Sequence, residues 1–310
     1  MAEHVVSKQP DVKVHGAVKE FRTMNAENIL DIENKITLHE CDINDVASLL
    51  RVVKVVKPDI IFHFEDYSNV STSFKSPHAA LANNILGTSN LFEAIRLSGG
   101  KPIFQLCSTS EVYGCVEPGD IPIKEDALTR PASPYAVSKT TQDLLGLVYY
   151  KSYGINIIRT RMFAYLNPRR MDIFSTSFAR QIARIEAGLQ EELVHGNLQA
   201  IRTIIGIHDA MDAYWVAALC CEPGEAYNIG SDQPISVGQF LELLKDFSKV
   251  KIKCRLDPAL LRPIDLPILV PNLSKFQNIS DWNPKQDLQK SALYLLNYWR
   301  RKVLKEGLNA

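Results

Sequence analysis

Apolar residues in this chain gather into short runs that turn-forming and charged residues interrupt. Residues 12–18, 35–40, 58–63, 102–107 and 155–160 read as short strands. Between them, residues 46–56, 79–97 and 135–149 carry apolar positions at helical spacing. Short apolar strands alternating with helices predict an α/β fold, with a parallel sheet covered on both faces. Ligands of such sheets bind beyond the C-terminal ends of the strands. From about Asn167 the rhythm loosens into helices at 175–187, 239–250 and 289–303, with no internal repeat. The expected organisation is a strand–helix region over residues 1–165 and a second region over 166–310, interleaved with the core.

Composition narrows the partners. Lysine plus arginine and aspartate plus glutamate both number 35, so the formal net charge is zero. That balance gives no footprint for nucleic acid or an anionic membrane. No apolar run reaches the roughly 18 residues of a membrane-spanning helix. The first eight residues are too polar for a signal peptide. The six cysteines form no CxxC pair and no metal-like spacing with histidine, and adjacent Cys220 and Cys221 suit a buried helix. A reduced, cytoplasmic protein without a metal is expected.

The chemistry concentrates in two segments. Tyr135 stands four residues before Lys139, so on a helix the phenol and ammonium share a face. A cation beside a phenol lowers its pKa and fits Tyr135 for proton transfer near neutral pH. Upstream, Thr109 and Glu111 fall at the end of a strand and add a hydroxyl and a carboxylate. The set suits oxidation followed by elimination. The plainer alternatives are a packed helix-start aromatic for Tyr135 and a solvated loop carboxylate for Glu111.

These residues, in this order, resemble the extended short-chain dehydrogenase/reductase superfamily, and within it the GDP-mannose 4,6-dehydratase family. Val14-His15-Gly16 resembles that family's second strand, residues 84–91 its central helix, and Thr109 with Glu111 its catalytic pair. Arg169 and Arg170 after Pro168, Gly196-Asn197 with Arg202, and Arg262-Pro263 resemble its GDP-sugar contacts. Asp281-Trp282 with Pro284 resembles its closing motif, so the likeness runs along nearly the whole chain.

The resemblance implies an α/β fold with a Rossmann-type, dinucleotide-binding parallel sheet over residues 1–165 and a smaller C-terminal sugar-nucleotide-binding region over 166–310, interleaved with the core. It implies catalytic roles for Thr109, Glu111, Tyr135 and Lys139. It implies NADP contacts from Asp42, Ile43, Ser68, Asn84, Tyr135 and Lys139. GDP-sugar contacts would come from Asn167, Arg169, Arg170, Asn197, Arg202 and Arg262. In the implied reaction Tyr135 takes the C4 hydroxyl proton while the C4 hydride passes to the nicotinamide. Glu111 then removes the C5 proton, water leaves from C6, and the hydride returns there. Thr109 hydrogen-bonds near O4, and Lys139 orients the ribose and tunes Tyr135. Family members pair through the helices at 79–97 and 135–149, so a homodimer or higher homo-oligomer is expected.

Several positions depart from the family pattern. No glycine-rich phosphate loop occurs in the sequence, which reads as starting inside the first β-α unit, roughly 20 residues short of a full βαβ. Its neighbours in the sheet would then present an unpaired edge. Glu65 and Asp66 replace two small residues and would repel a diphosphate. Val18-Lys19-Glu20 replaces an arginine pair that would read a 2′-phosphate, leaving Lys19 or Arg22 for that role. Ala164 and Gly206 remove polar side chains.

Three functions follow as expectations. One is a dehydratase acting on GDP-mannose. Another is an inactive pseudoenzyme that binds a GDP-sugar or an active paralogue. The third is a nucleotide-sugar reductase or epimerase of the same superfamily.

Overall fold

The computed structural model describes residues 1–24 and 26–308. The chain divides into two compact units. The first comprises Met1–Val112, Ser133–Arg161 and Met211–Tyr227; the second comprises Tyr113–Ala132, Met162–Ala210 and Asn228–Ala310.

The first unit is built on parallel strands. These are β1 (Val14–Val18), β2 (Ile36–Glu40), β3 (Ile60–His63), β4 (Ile103–Thr109) and β5 (Ile157–Met162). β4 and β5 are almost continuously buried, as expected of strands covered on both faces, and in β5 the buried positions include Arg159, Thr160 and Arg161. β1 pairs with β2 in one parallel sheet, and a second sheet runs β3, β4, β5 and then Ala226–Ile229. Between β3 and β4 the register places His63 opposite Leu106.

Six helices flank these strands: α1 (Ala2–Lys8), α2 (Val46–Val56), α3 (Val70–Lys75), α4 (Pro77–Leu81), α5 (Gly87–Ser98) and α6 (Pro134–Tyr153). The Asp45 carboxylate caps α2 by accepting from the Ala47 amide. One helical turn apart, Leu49 and Val53 on α2 bury against Leu91, Phe92 and Ile95 of α5, with Phe104 and Leu106 of β4 beneath.

The helix expected over 79–97 is interrupted. A π-helical turn at Ala82–Leu86 separates α4 from α5 and carries the fully buried Asn84. Such turns often mark functional positions. Helix α6 is capped by Ser133, whose hydroxyl accepts from the Ala136 amide at 3.0 Å, and opens with Pro134 at its first position. At Gly146 an added Cβ would lie 3.2 Å from both Ile157 and Leu106, so the glycine lets α6 lie close on β4 and β5. Helix Ile207–Cys220 ends at the cysteine pair, so Cys221 is buried but Cys220 is exposed.

The second unit has its own core, formed where helices Phe174–Glu186, Val237–Asp246 and Leu288–Leu308 meet. Phe178, Ile182, Phe240, Leu244, Leu295 and Leu296 are buried there. Strand Ile201–Ile205 is its organiser: Pro234–Ser236 pairs with it antiparallel, and Ile268–Leu269 and Ala164–Tyr165 pair with it in parallel. Leu193–His195 and Cys254–Leu256 form a separate parallel pair. These strands of two to five residues were not legible as periodic patterns.

Candidate active site

In the first unit, the chemistry lies at the C-terminal ends of β3 and β4. β4 ends at Thr109, and a 3₁₀ turn, Ser110–Tyr113, carries Glu111. The Thr109 hydroxyl accepts a hydrogen bond from the Glu111 backbone amide at 3.3 Å, which holds the hydroxyl against the turn that carries Glu111. Both residues are half-buried.

Tyr135 and Lys139 stand in the first turns of α6 on its buried face; Lys139 is only 1% exposed. The Tyr135 amide donates to the Ser73 hydroxyl at 3.2 Å, and its carbonyl accepts from Ser138 at 2.7 Å. The Asn84 carboxamide donates to Ser138 at 2.8 Å and accepts from the Tyr67 amide at 2.6 Å. The π turn thus joins α6 to the segment that leaves β3.

That segment carries Asp66, which in the sequence reads as a carboxylate that would repel a diphosphate rather than as a partner for Lys139. Instead the Lys139 ammonium donates to Asp66 Oδ2 at 2.5 Å and to the Cys107 carbonyl at 2.6 Å. The other Asp66 oxygen accepts from Gln142 at 3.0 Å. Gln142 also donates to Thr88 at 2.6 Å, and Thr88 meets His63 Nε2 at 2.8 Å. Burial, with a smaller push from Lys139 and an opposing pull from Asp66, lowers His63 to about 4, so it is neutral near pH 7. Burial also pushes the Cys107 thiol far up, leaving it inert as a nucleophile. Neighbouring Glu65 accepts from Asn83 at 3.0 Å, and burial raises its carboxyl although the residue keeps exposed surface.

The remaining candidates in this unit fall beyond β2. Asp42 accepts from the Asn44 amide, which with Lys19 holds its carboxyl below the usual range against the effect of burial. Lys19 pairs with it at 3.2 Å. Ile43 packs against Gly87, where an added Cβ would come within 2.6 Å. Ser68 lies in the irregular stretch between β3 and α3. Sequence reasoning missed Gln142 and the buried cluster of Asp143, Arg159 and Arg161. Burial alone would raise the Asp143 carboxyl, but the two guanidiniums, at 2.8–3.0 Å, hold it down.

In the second unit, Asn197 and Arg202 come together through Asp265, which the sequence did not single out. Asn197 donates to Asp265 Oδ2 at 2.7 Å, and Arg202 approaches Oδ1 at 3.9 Å. Arg170 makes a two-pronged ion pair with Asp172, and Asn167 accepts from the Arg169 amide at 3.0 Å. Arg262 is half-buried, three residues before Asp265. Among the described residues no cluster of three or more metal-ligating side chains occurs, and no helix is long and apolar enough to cross a membrane.

A parallel α/β sheet with a Tyr-x-x-x-Lys helix beside a strand ending in Thr109 and Glu111 defines a short-chain dehydrogenase/reductase-type protein. The family model described as GDP-mannose 4,6 dehydratase matches residues 1–292, and the chain belongs to that family. A GDP-6-deoxy-D-mannose reductase of Pseudomonas aeruginosa is 31% identical over 251 residues, covering 80% of this chain and 83% of that protein. A GDP-mannose 4,6-dehydratase of Vibrio cholerae is 33% identical over 252 residues, covering 78% of this chain and 66% of that protein. Among solved structures, RMD from Pseudomonas aeruginosa complexed with NADPH superposes with a TM-score of 0.82 at 26% identity, covering 94% of this chain and 100% of that one. A UDP-glucose 4-epimerase from Thermotoga maritima, at a TM-score of 0.85 and 20% identity over 97% of this chain and 94% of that one, shares the fold.

Proposed function

We propose that this chain is a GDP-mannose 4,6-dehydratase-like protein that acts on a GDP-linked, manno-configured sugar. The observation that carries the reading is the Thr109–Glu111 pair at the end of β4, with Tyr135 and Lys139 on the buried face of α6. Tyr135 exchanges the proton of the C4 hydroxyl, and Thr109 donates a hydrogen bond near O4. Glu111 takes the C5 proton once C4 is a ketone, and the C6 hydroxyl leaves as water. Reductases and epimerases of the superfamily need no base at C5, so Glu111 sets this reading apart from them. Arg202 and Arg262 serve the diphosphate, because guanidinium forks match its oxygens. Asn167, Arg169, Arg170 and Asn197 complete the sugar-nucleotide side.

A ribose diol calls for a cation and a hydroxyl on one face, and the donor set of Lys139 and Tyr135 fits a nicotinamide dinucleotide in that respect. When bound, the nicotinamide supplies hydride acceptance at C4 and hydride return at C6. Asn84, Ser68, Asp42 and Ile43 are the further candidates for cofactor contacts, with Lys19, which pairs with Asp42 at 3.2 Å, as the candidate for a 2′-phosphate. The homodimer expected of the family is supported by exposed Leu86, Val137, Leu144 and Val148 on the helices that would pair.

The test is incubation with GDP-mannose and NADP, followed by mass spectrometry and proton NMR. A product lighter by one water, with a 4-keto sugar, is expected. Unchanged GDP-mannose that nevertheless binds would favour the second reading, a GDP-sugar-binding protein without turnover. One observation favours that alternative: Lys139 already has an internal anionic partner in Asp66.

A further inference from the structure

We propose that Asp66 is a tethered competitor for Lys139, so that a dinucleotide enters this unit only when the Asp66 carboxylate gives up the ammonium. The inference rests on the dehydratase-like reading above, which supplies the dinucleotide as the competing ligand.

Three features make the contact a built one. First, it is buried on both sides, with side-chain exposures of 1% for Lys139 and 8% for Asp66. Second, both carboxylate oxygens are engaged, one by Lys139 and the other by Gln142, which is itself anchored on Thr88 and the Asn84 carbonyl. Third, it sits where ligands of parallel sheets bind. Asp66 leaves the C-terminal end of β3, and Lys139 also holds the Cys107 carbonyl near the end of the adjacent strand β4.

Chemistry decides the competition. Ribose hydroxyls are neutral and offer the Lys139 ammonium only a dipole, whereas the Asp66 carboxylate gives it a full ion pair in a dry site, where opposite charges attract most strongly. The tethered anion also needs no association entropy to reach its partner. An incoming diphosphate brings further negative charge toward Asp66 and Glu65. Residues 64–69, which carry Asp66, form no helix or strand, so no helix or sheet ladder fixes the Asp66 backbone. Asn84 anchors that segment at Tyr67, one residue beyond Asp66.

The experiment titrates NADPH, followed by its fluorescence, into the full-length protein and its Asp66→Ala, Asp66→Asn and Asp66→Ala/Lys139→Met variants. GDP-mannose binding is measured in parallel by calorimetry. Asp66→Asn keeps a hydrogen-bonding side chain while removing the charge, and serves if the alanine variant does not fold. Removing the charge is expected to tighten NADPH binding at least tenfold. Adding Lys139→Met is expected to abolish the gain, and GDP-mannose binding should stay unchanged in the single Asp66 variants. Equal NADPH affinity with and without Asp66, including no binding in any variant, would overturn the proposal. So would a gain that survives loss of Lys139. Failure of the wild-type protein to bind GDP-mannose would instead count against the sugar-nucleotide reading, and the NADPH series would still be read on its own.

Discussion

The Lys139 ammonium and the Asp66 carboxylate, 73 residues apart in sequence, meet at 2.5 Å inside the first unit. Removing either partner strands a charge in a site with almost no solvent. Breaking a buried pair in this way costs about 3–5 kcal/mol. Asp66→Ala and Lys139→Met are each expected to lose stability of that order in urea unfolding. The double variant should recover much of the loss, because no charge is left unpaired. Single variants within about 0.5 kcal/mol of wild type would show that the pair is not closed in solution.

His63 makes stability depend on pH. Its folded pKa of about 4 lies below the ordinary value of 6.5, so the unfolded chain binds the proton more readily. The contribution is complete above about pH 6.5, is lost as pH falls toward 4, and then levels off. From pH 7 to pH 5 it removes about 2 kcal/mol. His63→Gln, which keeps a polar partner for Thr88, should flatten that part of the profile. Identical pH dependence in wild type and variant would contradict the assignment.

Much of the first unit was legible in the sequence because short apolar stretches alternate with helical spacing. β4, buried along almost its whole length, is the clearest case, whereas β5 carries Arg159, Thr160 and Arg161 after its two isoleucines. The π turn was not legible: 79–97 reads as one regular helix, and the turn coincides with the Asn84 carboxamide reaching inward to Tyr67 and Ser138. Helix Ile207–Cys220 was missed because apolar residues such as Ile207, Met211, Tyr214 and Val216 surround it without a polar stripe. Of the candidate groups, Tyr135 and Lys139 were read from their spacing and Thr109 and Glu111 from strand position, and the structure puts them on α6 and at the end of β4. Asp66 was noticed as a misplaced charge, but its partner depends on topology that sequence does not display. Asp265 had no local signal; it matters because Asn197 and Arg202 converge on it.

In the second unit, Gly114 occupies the left-handed region, with φ of +60°, and an added Cβ would fall 1.6 Å from the Arg130 carbonyl oxygen. Backbone must move to admit any side chain. Gly114→Ala is expected to cost about 2 kcal/mol or more in thermal or urea unfolding. A variant as stable as wild type would mean that the turn relaxes freely.

Glu111→Gln separates proton abstraction from binding. If Glu111 removes the C5 proton, kcat for the 4-keto product falls about 10²–10⁴-fold. Calorimetric affinity for GDP-mannose should change little. Full activity in the variant would shift the reading toward a reductase or epimerase.

The central claim is that this chain recognises a GDP-linked sugar, and calorimetric titration with GDP-mannose tests it most directly. Saturable binding, weakened in Arg202→Ala and much weaker with UDP-glucose, is the predicted result. No saturable heat with GDP-mannose, or equal binding of UDP-glucose, would contradict the account.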